Sequence, residues 1–420
     1  MSFPAVLPTP ADLRRVTAAT YLVFIGSGFA FASWASRIPQ LRDRLELQPA
    51  ELGLLLLAVA AGSLIAFPLA GSVVGRWGSR RTVAGMAMLM AVALVVVAFG
   101  YESGVVPVAA GLFLLGFANG AWDVAMNVHG ARVEGHAGRS IMPRFHAGFS
   151  VGTVAGAAVG TAVVALGGPV AAHLITVALT VAVVVPRAAG RFLPDQPSAP
   201  DPTDTTRTTG TSGTSDDPRA APWTTWKAWT EWRTLRVGVF VLAFAFAEGT
   251  ANNWIGVALI DGYDVSPAVG TLAFAVFLAA MTTGRWVGPV LLDRYGRVPV
   301  VRCLALLAVV GLALFVLGPS TPVAFLGAVL WGAGVSLGFP VGMSAGADDP
   351  QRAAARVSVI ASIGYCSFLA GPPLIGFLGQ EFGVLRALTI VALLLAVAAL
   401  LAGAVAPPGQ TPTTLNAQST

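Results

Sequence analysis

Three polar side chains share one face of a predicted helix in the first half of the sequence. Asn119, Asp123 and Asn127 follow one another at intervals of four within an apolar run. Because a helix turns once in about 3.6 residues, this spacing stacks a carboxyl group and two amides along one face. Such a face requires water or a ligand beside it rather than lipid. A carboxyl group there can take up a proton as its surroundings dry and release it as they become wet, since desolvation disfavours the charged form.

A second polar cluster lies in the second half. Glu248 and Asn252 are one helical turn apart, Asn253 and Trp254 follow directly, and Arg285 interrupts a later apolar run. A charge at the centre of a bilayer costs about 2.5 to 3.5 kcal/mol even on insertion scales, so each charged group here requires a cavity or a partner. Two roles for Glu248 therefore stay open, a proton carrier and a structural ion pair with Arg285.

The same side chains suit the binding of a small polar solute. Arg285 can hold an anionic or hydroxyl-rich group, and tryptophan rings can stack on a sugar. Besides Arg285, the predicted substrate contacts are Trp34, Asn119, Asn127, Asn252, Asn253 and Trp254, with Trp122 and Trp331 also available. The alternatives are a hydrogen bond between helices for Asp123, and helix or lipid packing for each tryptophan.

Composition places these groups in a membrane protein. Of 420 residues, 55% are hydrophobic and only 11% are charged, whereas soluble domains carry about 25% charged residues. The net charge of +5 does not indicate nucleic-acid binding, because the basic residues are spread over separate loops. Cys303 and Cys366 are expected to pack within apolar runs, and His129, His136 and His146 to lie in a solvated loop. Neither set has metal-ligand spacing.

Apolar runs of about 20 residues predict twelve membrane-spanning helices. The spans are 17–38, 51–73, 82–100, 105–128, 144–166 and 168–186, followed by 236–260, 267–292, 298–318, 321–345, 355–378 and 384–406. We therefore expect an all-α membrane protein with two pseudo-symmetric six-helix bundles, 1–186 and 235–406. A cytoplasmic linker, 187–234, joins the bundles, and a cytoplasmic tail, 407–420, follows the second.

The linker has two parts. Residues 187–222 are rich in Pro, Thr, Ser, Asp and Gly and bury too little apolar surface to fold. Four tryptophans then recur at intervals of three, which is typical of an amphipathic helix at the level of the lipid headgroups. They are Trp223, Trp226, Trp229 and Trp232. The alternative is a surface on which a ligand stacks.

A turn containing glycine and arginine occurs twice, 218 positions apart. An apolar run stops at Arg76 and Gly78 and another starts at once, and the same happens at Arg294 and Gly296. Each turn is typical of a helical hairpin that reverses on a charged membrane face. The residues expected to act in gating are Gly71, Arg76, Gly78, Arg80 and Arg81, together with Asp293, Arg294, Gly296 and Arg297. The alternative is that both turns are only membrane-flanking anchors.

This pair of turns resembles the signature loop of the major facilitator superfamily of secondary transporters, G-x-x-x-D-R-x-G-R-R/K. The first copy departs from it at Gly75, where the family has an acid, and the second at Pro289, where it has a glycine. Asp293 keeps the acid of the second copy. The resemblance implies a substrate site near the bilayer midplane between two halves that alternate in access. We expect spans 1, 4, 7, 8 and 10 to line it.

The fourth span also resembles that of the fucose:proton symporter branch, whose acid-x-Ala-x-Asn motif carries a functional glutamate. Asp123, Ala125 and Asn127 occupy that motif, and Phe145–Gly152 is similar to the start of the fifth span of the branch. The resemblance implies that Asp123 carries a coupled proton. The branch has a further acid in its first span, which is missing here, so Glu248 is the alternative carrier.

The positions of lysine and arginine predict the orientation. The N-terminus and the loops after even-numbered spans hold 20 of the 25 basic residues. The loops after odd-numbered spans hold four, Arg37, Arg42, Arg44 and Arg386. The positive-inside rule then places both termini and the linker in the cytoplasm. We predict a multi-pass protein of the cytoplasmic (inner) membrane.

Together these patterns predict a monomeric secondary transporter that moves a small polar organic solute, a sugar or a sugar-like molecule, with protons. The sequence lacks the GxxxxGK[ST] motif of ATP-driven proteins, and no cofactor, metal or nucleic-acid partner is indicated. An enzyme is not predicted either, because no nucleophile and base lie close together in a cavity span. The alternatives are a drug or metabolite efflux antiporter and, more remotely, a solute sensor. The fifth-span antiporter motif G-x-x-x-G-P-x-x-G-G is incomplete here, with Ala157 in place of proline.

Overall fold

The computed structural model describes residues 10–137, 141–194, 225–349 and 352–407, and within these ranges every regular element is a helix. The first helices are α1 (Pro10–Ala35), α2 (Ile38–Arg44), α3 (Pro49–Ser103), α4 (Val105–Ala137), α5 (Met142–Ala165) and α6 (Val170–Ala189). The later ones are α7 (Thr225–Ala228), α8 (Trp232–Tyr263), α9 (Pro267–Tyr295), α10 (Arg297–Leu317), α11 (Thr321–Val335), α12 (Gly338–Gly346), α13 (Ala353–Phe382), α14 (Val384–Ala387) and α15 (Thr389–Leu401). A short 3-10 helix, Ala402–Val405, follows. The central part of the predicted linker and nearly all of the predicted tail lie outside the described residues.

Eleven segments of the described chain are long and apolar enough to cross a membrane. Ten of them contain one predicted span each, and α3 contains two. Helix is the expected form of such segments, because lipid offers the backbone no hydrogen-bond partners and a helix satisfies its own. The positions of helices that cross a membrane can therefore be predicted from hydropathy alone.

The 55-residue helix α3 is bent back on itself. A straight helix of that length would measure about 80 Å, more than twice the thickness of a bilayer core. Gly78 interrupts it with φ 81° and ψ 161°, a backbone conformation that glycine adopts without a side-chain clash. Both limbs lie against α4, since the backbone of Gly62 touches that of Phe113 and Gly111 touches Val97. The chain thus turns around at Gly78, as the repeated turn predicted.

The backbone repeats its unusual conformations along the chain. Six of the seven described residues with positive φ form pairs: Glu46 (52°) with Asp264 (50°), Gly78 (81°) with Gly296 (79°), and Gly167 (67°) with Gly383 (84°). The first two pairs are 218 positions apart, the spacing that the two turns showed in the sequence. We call the end of the molecule with Glu46 and Asp264 the Glu46 face, and the opposite end the Gly78 face.

The helices pack as two groups. In the first group, α1 packs on α4, α5 and α6, and α3 packs on α4 and α6. In the second group, α8 packs on α9, α13 and α15, while α10 packs on α11 and α15. Contacts between the groups are made by α3 with α13, by α5 with α9, and by α2 with α8 and α9. A ligand between the groups would therefore lie among α3, α5, α9 and α13.

Small residues let the helices of the first group approach closely. The backbone of Gly28 in α1 touches Phe149 in α5, and Gly152 in α5 touches Ile25 in α1. Gly156 and Gly160 continue the same contact along α5, against Phe29 and Ser36. In membranes such small-residue faces hold helices together by close backbone packing. The glycines of the incomplete antiporter motif thus serve the packing of α5 on α1.

The predicted tryptophan-rich helix is only partly present. Of that segment, α7 covers Thr225–Ala228 and packs on α13, and α8 begins at Trp232. Trp229 and Trp232 are exposed, and the guanidinium of Arg236 lies 4.9 Å above the ring of Trp232. Exposed tryptophan beside a cation suits the lipid headgroup region. Trp223 lies outside the described residues.

Candidate functional site

A cavity of about 270 Å³ lies between the two helix groups. Its polar lining consists of Ser63, Asn119, Asp123, Thr153, Glu248, Asn252, Asn253, Arg285 and Tyr365. Its aromatic lining includes Phe31, Phe67, Phe149, Phe274 and Phe368. Concave sites with mostly apolar walls and a few convergent polar groups are where proteins bind small molecules.

Seven helices supply the lining, and they differ in part from those expected. Spans 1, 4, 7 and 8 contribute as predicted, through α1, α4, α8 and α9. The predicted span 10, which contains α11 and α12, supplies no lining residue among those described, whereas α3, α5 and α13 do. These three helices carried little sequence signal, because their lining residues are apolar or aromatic apart from Ser63, Thr153 and Tyr365.

The polar face of α4, which carries Asn119, Asp123 and Asn127, is directed at this cavity. Asn119 and Asp123 line it, while Asn127 lies one turn below and donates its amide to Asp123, 3.1 Å to Oδ1 and 2.8 Å to the main-chain oxygen. Helix α4 is held against α3, where Ser63 Oγ donates to the carbonyl of Gly116 at 2.9 Å. Because this contact fixes the rotation of α4, the carboxyl group of Asp123 is directed at the space between the groups.

The charged residues of the second half form an ion pair on the opposite wall. One guanidinium nitrogen of Arg285 lies 3.1 and 3.0 Å from the two carboxylate oxygens of Glu248. Arg285 Nε also donates to the carbonyl of Ser336, at 3.3 Å, where the chain passes from α11 to α12. Both side chains are largely buried, at 27% and 22% exposure. Glu248 and Arg285 are therefore ion-paired in this conformation.

The tryptophans predicted as substrate contacts are packed within the helix groups. Trp34, Trp122, Trp254 and Trp331 are at most 2% exposed, and none of them lines the cavity. Trp331, for example, meets the ring of Phe277 edge-on at 5.3 Å. In this conformation the rings that a ligand can reach are those of phenylalanine and tyrosine.

Two residues that the sequence did not predict for the site, Tyr365 and His146, stand where the groups meet. Tyr365 on α13 packs against Phe67 on α3 with ring centroids 4.9 Å apart, and it lies within electrostatic range of Asp123. His146 on α5 lies edge-on to Phe24 and close enough to Arg285 for their charges to interact. For His146, the sequence signal was that a polar residue lies near the start of the predicted span 144–166.

The histidines and cysteines occupy other places than expected. The solvated loop predicted for the histidines is mostly helical, because α4 runs on to Ala137 and α5 starts at Met142. His129 is fully buried and stacks on the ring of Phe192 at 3.5 Å. Cys303 and Cys366 are exposed rather than packed. His136 and His146 are exposed, as expected. The expectations for the loop, for His129 and for the cysteines were wrong, because hydropathy does not show how far a helix extends beyond the apolar run or which side it turns outward.

The two groups meet closely at the Glu46 face. Arg42 on α2 donates to Asp261 on α8 at 2.5 Å. A Cβ atom placed on Gly53 of α3 would lie 2.5 Å from the carbonyl oxygen of Pro372 on α13, so only glycine fits this contact. The two groups are thus in direct contact at this end.

At the Gly78 face most residues of the two repeated turns are exposed, although Gly78 itself is buried. Gly71, Arg76, Arg80 and Arg81 are exposed in the first turn, and Asp293, Arg294 and Gly296 in the second. A side chain placed on Gly71 would meet no other atom within 4 Å. Neither turn is thus covered by the opposite group in this conformation.

A charge network ties the second group together at the same face. Asp348 accepts hydrogen bonds from Arg233 at 3.0 Å and from Arg297 at 2.7 Å, and Arg356 pairs with Glu231. Burial opposes the charged form of Glu231, but hydrogen bonds from Arg356 and from a neighbouring threonine outweigh it and lower the pKa of this carboxyl. Arg297 therefore acts within its own group here.

Comparison with known proteins connects this architecture to one family. The profile described as Major Facilitator Superfamily matches residues 20–368 and 239–419. The chain is 32% identical to the uncharacterised transporter y4wD of Sinorhizobium fredii, over 90% of this chain and 95% of that protein. It is also 32% identical to an uncharacterised MFS-type transporter of Yersinia pestis, over 92% and 94%. The membrane protein MosC of Rhizobium meliloti is 28% identical, over 91% and 88%.

Solved structures share the fold at low identity. A mutant of the nucleoside transporter NupG has a TM-score of 0.72 and 15% identity, covering 94% of this chain and 99% of NupG. A bacterial homologue of the human lysosomal transporter Spinster, solved inward-facing and unoccupied, has a TM-score of 0.69 and 12% identity, covering 94% and 98%. With its helical fold, its repeated turns and these relatives, the chain belongs to the major facilitator superfamily of transporters.

Proposed function

We propose that this chain is a proton-coupled transporter of a neutral, hydroxyl-rich organic solute, a sugar or a sugar-like molecule, and that it works by alternating access. As a member of its superfamily it is a transporter and not an enzyme. The observation that carries the proposal is the cavity between the groups, with Asp123 on one wall and the Glu248–Arg285 pair on the other. Secondary transporters hold substrate and coupling ion in such a place.

Twelve crossings follow if the two limbs of α3 each span the membrane. The reversal at Gly78 and the contact of both limbs with α4 support this count. The two helix groups then become two six-helix bundles, 1–186 and 235–406, joined by the linker 187–234. Because basic residues favour the cytoplasm, the Gly78 face, both termini and the tail 407–420 lie inside the cell, in the cytoplasmic membrane.

Asp123 is the proposed proton site. Its hydrogen-bond partner is the amide of Asn127, and within the described part of the chain no cation pairs with it. Glu248 differs, because it already has a cationic partner, with one guanidinium nitrogen of Arg285 lying 3.0 Å from its carboxylate. A carboxyl group without a cation, in a cavity that alternates between wet and dry, is the one suited to bind and release a proton.

The charges of the cavity favour a neutral solute. Arg285 is neutralised by Glu248, so an anionic group would have to displace that carboxylate. The amides of Asn119 and Asn252 offer hydrogen bonds to hydroxyl groups, and the aromatic walls suit the apolar face of a sugar ring. The relative NupG is named a nucleoside transporter. A nucleoside also combines hydroxyl groups with a flat ring, so it belongs among the solutes to test.

The conformation supports an inward-facing state. The Glu46 face is closed by contacts between the groups, whereas most residues of both repeated turns at the Gly78 face are exposed. In the opposite state we expect the turns to be packed against helix ends, with Asp293 as a charged contact. That expectation gives the glycines and arginines of both turns their proposed gating role.

Reconstituted flux tests the function. Purified protein in liposomes is offered hexoses, ribonucleosides, sugar acids and amphiphilic drugs, with and without a pH difference. We expect pH-driven accumulation of a neutral polyol and none of a sugar acid. Export of the drugs in exchange for protons would instead support efflux, an alternative that the largely apolar lining keeps open. Saturable binding without flux of any solute would support a sensor.

A further inference from the structure

Three of the four arginines near the Glu46 face, Arg37, Arg42 and Arg44, have specific partners. These three are among the four residues that depart from the positive-inside pattern, which makes their placement informative. Arg37 Nε donates to His173 Nδ1 at 2.9 Å, and Arg44 pairs with Glu102; both contacts lie within the first helix group. Arg42 differs, because its partner Asp261 belongs to the second group.

Arg42 lies between two carboxylates. Its terminal nitrogen NH1 donates to Asp261 Oδ2 at 2.5 Å, while Nε and NH2 approach one oxygen of Asp43 at 2.8 and 2.7 Å. The arginine side chain is 13% exposed, against 49% for Asp43 and 39% for Asp261. The guanidinium is thus shielded from water where the two groups touch, and charge-assisted hydrogen bonds are strengthened there.

We propose that Arg42 and Asp261 are gating residues that hold the Glu46 face closed, and that Asp43 keeps Arg42 paired when the face opens. Opening separates Arg42 from Asp261, but Asp43 belongs to the same group as Arg42 and moves with it. The guanidinium therefore keeps a carboxylate throughout, and opening breaks one charged contact without leaving an unpaired arginine. This arrangement makes the closed state preferred and still reversible.

Other contacts surround the Arg42–Asp261 pair at the same face, but they do not select one particular pairing of residues. Gly256 lies against the ring of Pro39, and Gly376 lies against the backbone of Pro49, so the two groups also touch through uncharged surfaces. Dispersion contacts of this kind stabilise the closed face in proportion to the area they bury, and they depend little on how the two surfaces are oriented. The ion pair fixes which point on α2 meets which point on α8.

The test measures the opening of the Glu46 face directly. In a background with Cys303 and Cys366 replaced by serine, Val106→Cys on α4 and Glu381→Cys on α13 carry spin labels. Both positions are exposed beside this face, one on each group. Distance distributions from double electron–electron resonance of the full chain in lipid nanodiscs then report closed and open populations. We expect mainly short distances in the parent protein.

Asp261→Asn should raise the long-distance population on the order of three- to tenfold, the range for losing one partly exposed charged contact. Arg42→Gln should do the same, and it replaces Asp261→Asn if that variant does not fold. Asp43→Asn should not raise the open population, because Asp261 is then the carboxylate left to pair with Arg42, and that contact forms in the closed state. Opening by Asp43→Asn as large as that by Asp261→Asn would overturn the role given to Asp43.

Glu102→Gln is the matched control. It removes the partner of Arg44, an arginine of the same helix at the same face, but that pair lies within one group. We expect no change in the distances. An unchanged distribution in Asp261→Asn, or an equal shift in Glu102→Gln, would refute the gate. The proposal rests on the proposed alternating access, yet it needs no substrate or proton flux, so a failed transport assay leaves this test intact.

Discussion

Replacing Asp123 with asparagine separates proton coupling from folding. Asparagine keeps the size of the side chain, and its amide oxygen can still accept the hydrogen bond that Asn127 donates at 3.1 Å. The lost charge assistance costs about 1 kcal/mol or less, and removing a desolvated charge offsets part of it. We therefore expect Asp123→Asn to insert and fold like the parent protein, with nearly unchanged thermal unfolding.

The transport consequence is much larger. One proton carried with each solute converts a difference of about two pH units into an accumulation of up to about 100-fold, or roughly 2.7 kcal/mol. Asparagine carries no titrating proton, so the expected accumulation ratio for Asp123→Asn is about 1. Exchange of labelled for unlabelled solute should persist, because it requires substrate binding and conformational change but no net proton movement.

The assay compares both activities in the same proteoliposomes. Uptake is followed with an imposed pH difference, and exchange is followed at equal pH on both sides. Glu248→Gln is the comparison variant, with its pair to Arg285 removed. Undiminished pH-driven accumulation by Asp123→Asn, together with its loss in Glu248→Gln, would show that the proton site lies in the second group and that the assignment to Asp123 is wrong.

Three further changes test other parts of the structure. Arg285→Gln leaves Glu248 without its cation in a mostly buried site and should destabilise the protein by about 2 to 3 kcal/mol; adding Glu248→Gln should recover much of the thermal stability, and no recovery would argue against the pair. Asp293→Asn should slow transport at unchanged expression, because a contact of the opposite conformation is lost; full activity would make the second turn only an anchor. The lowered pKa of Glu231 contributes stability that is complete above the ordinary carboxyl range and lost as the pH falls below it. Glu231→Gln, which leaves Arg356 poorly paired, should therefore lower stability at neutral pH and flatten its acid decline in thermal unfolding, and parallel pH profiles would contradict this.

The sequence alone determined the membrane class, the helices and the repeated turns. Lipid obliges each apolar run to satisfy its own backbone, so helix positions follow from local hydropathy. The turn at Gly78 was readable because glycine and arginine end an apolar run there as they do at Gly296. The stripe of Asn119 and Asp123 followed from the helical period, which requires no knowledge of neighbours.

Only the tertiary structure decided which distant residues meet. Arg285 pairs with Glu248, Tyr365 approaches Asp123, and Arg42 reaches Asp261 across the two groups. Such contacts depend on the rotation and tilt of each helix, which are set by backbone packing at many small residues rather than by any local pattern. Hydropathy likewise cannot tell whether a tryptophan faces a cavity or a neighbouring helix, because both environments exclude lipid and accept the same ring.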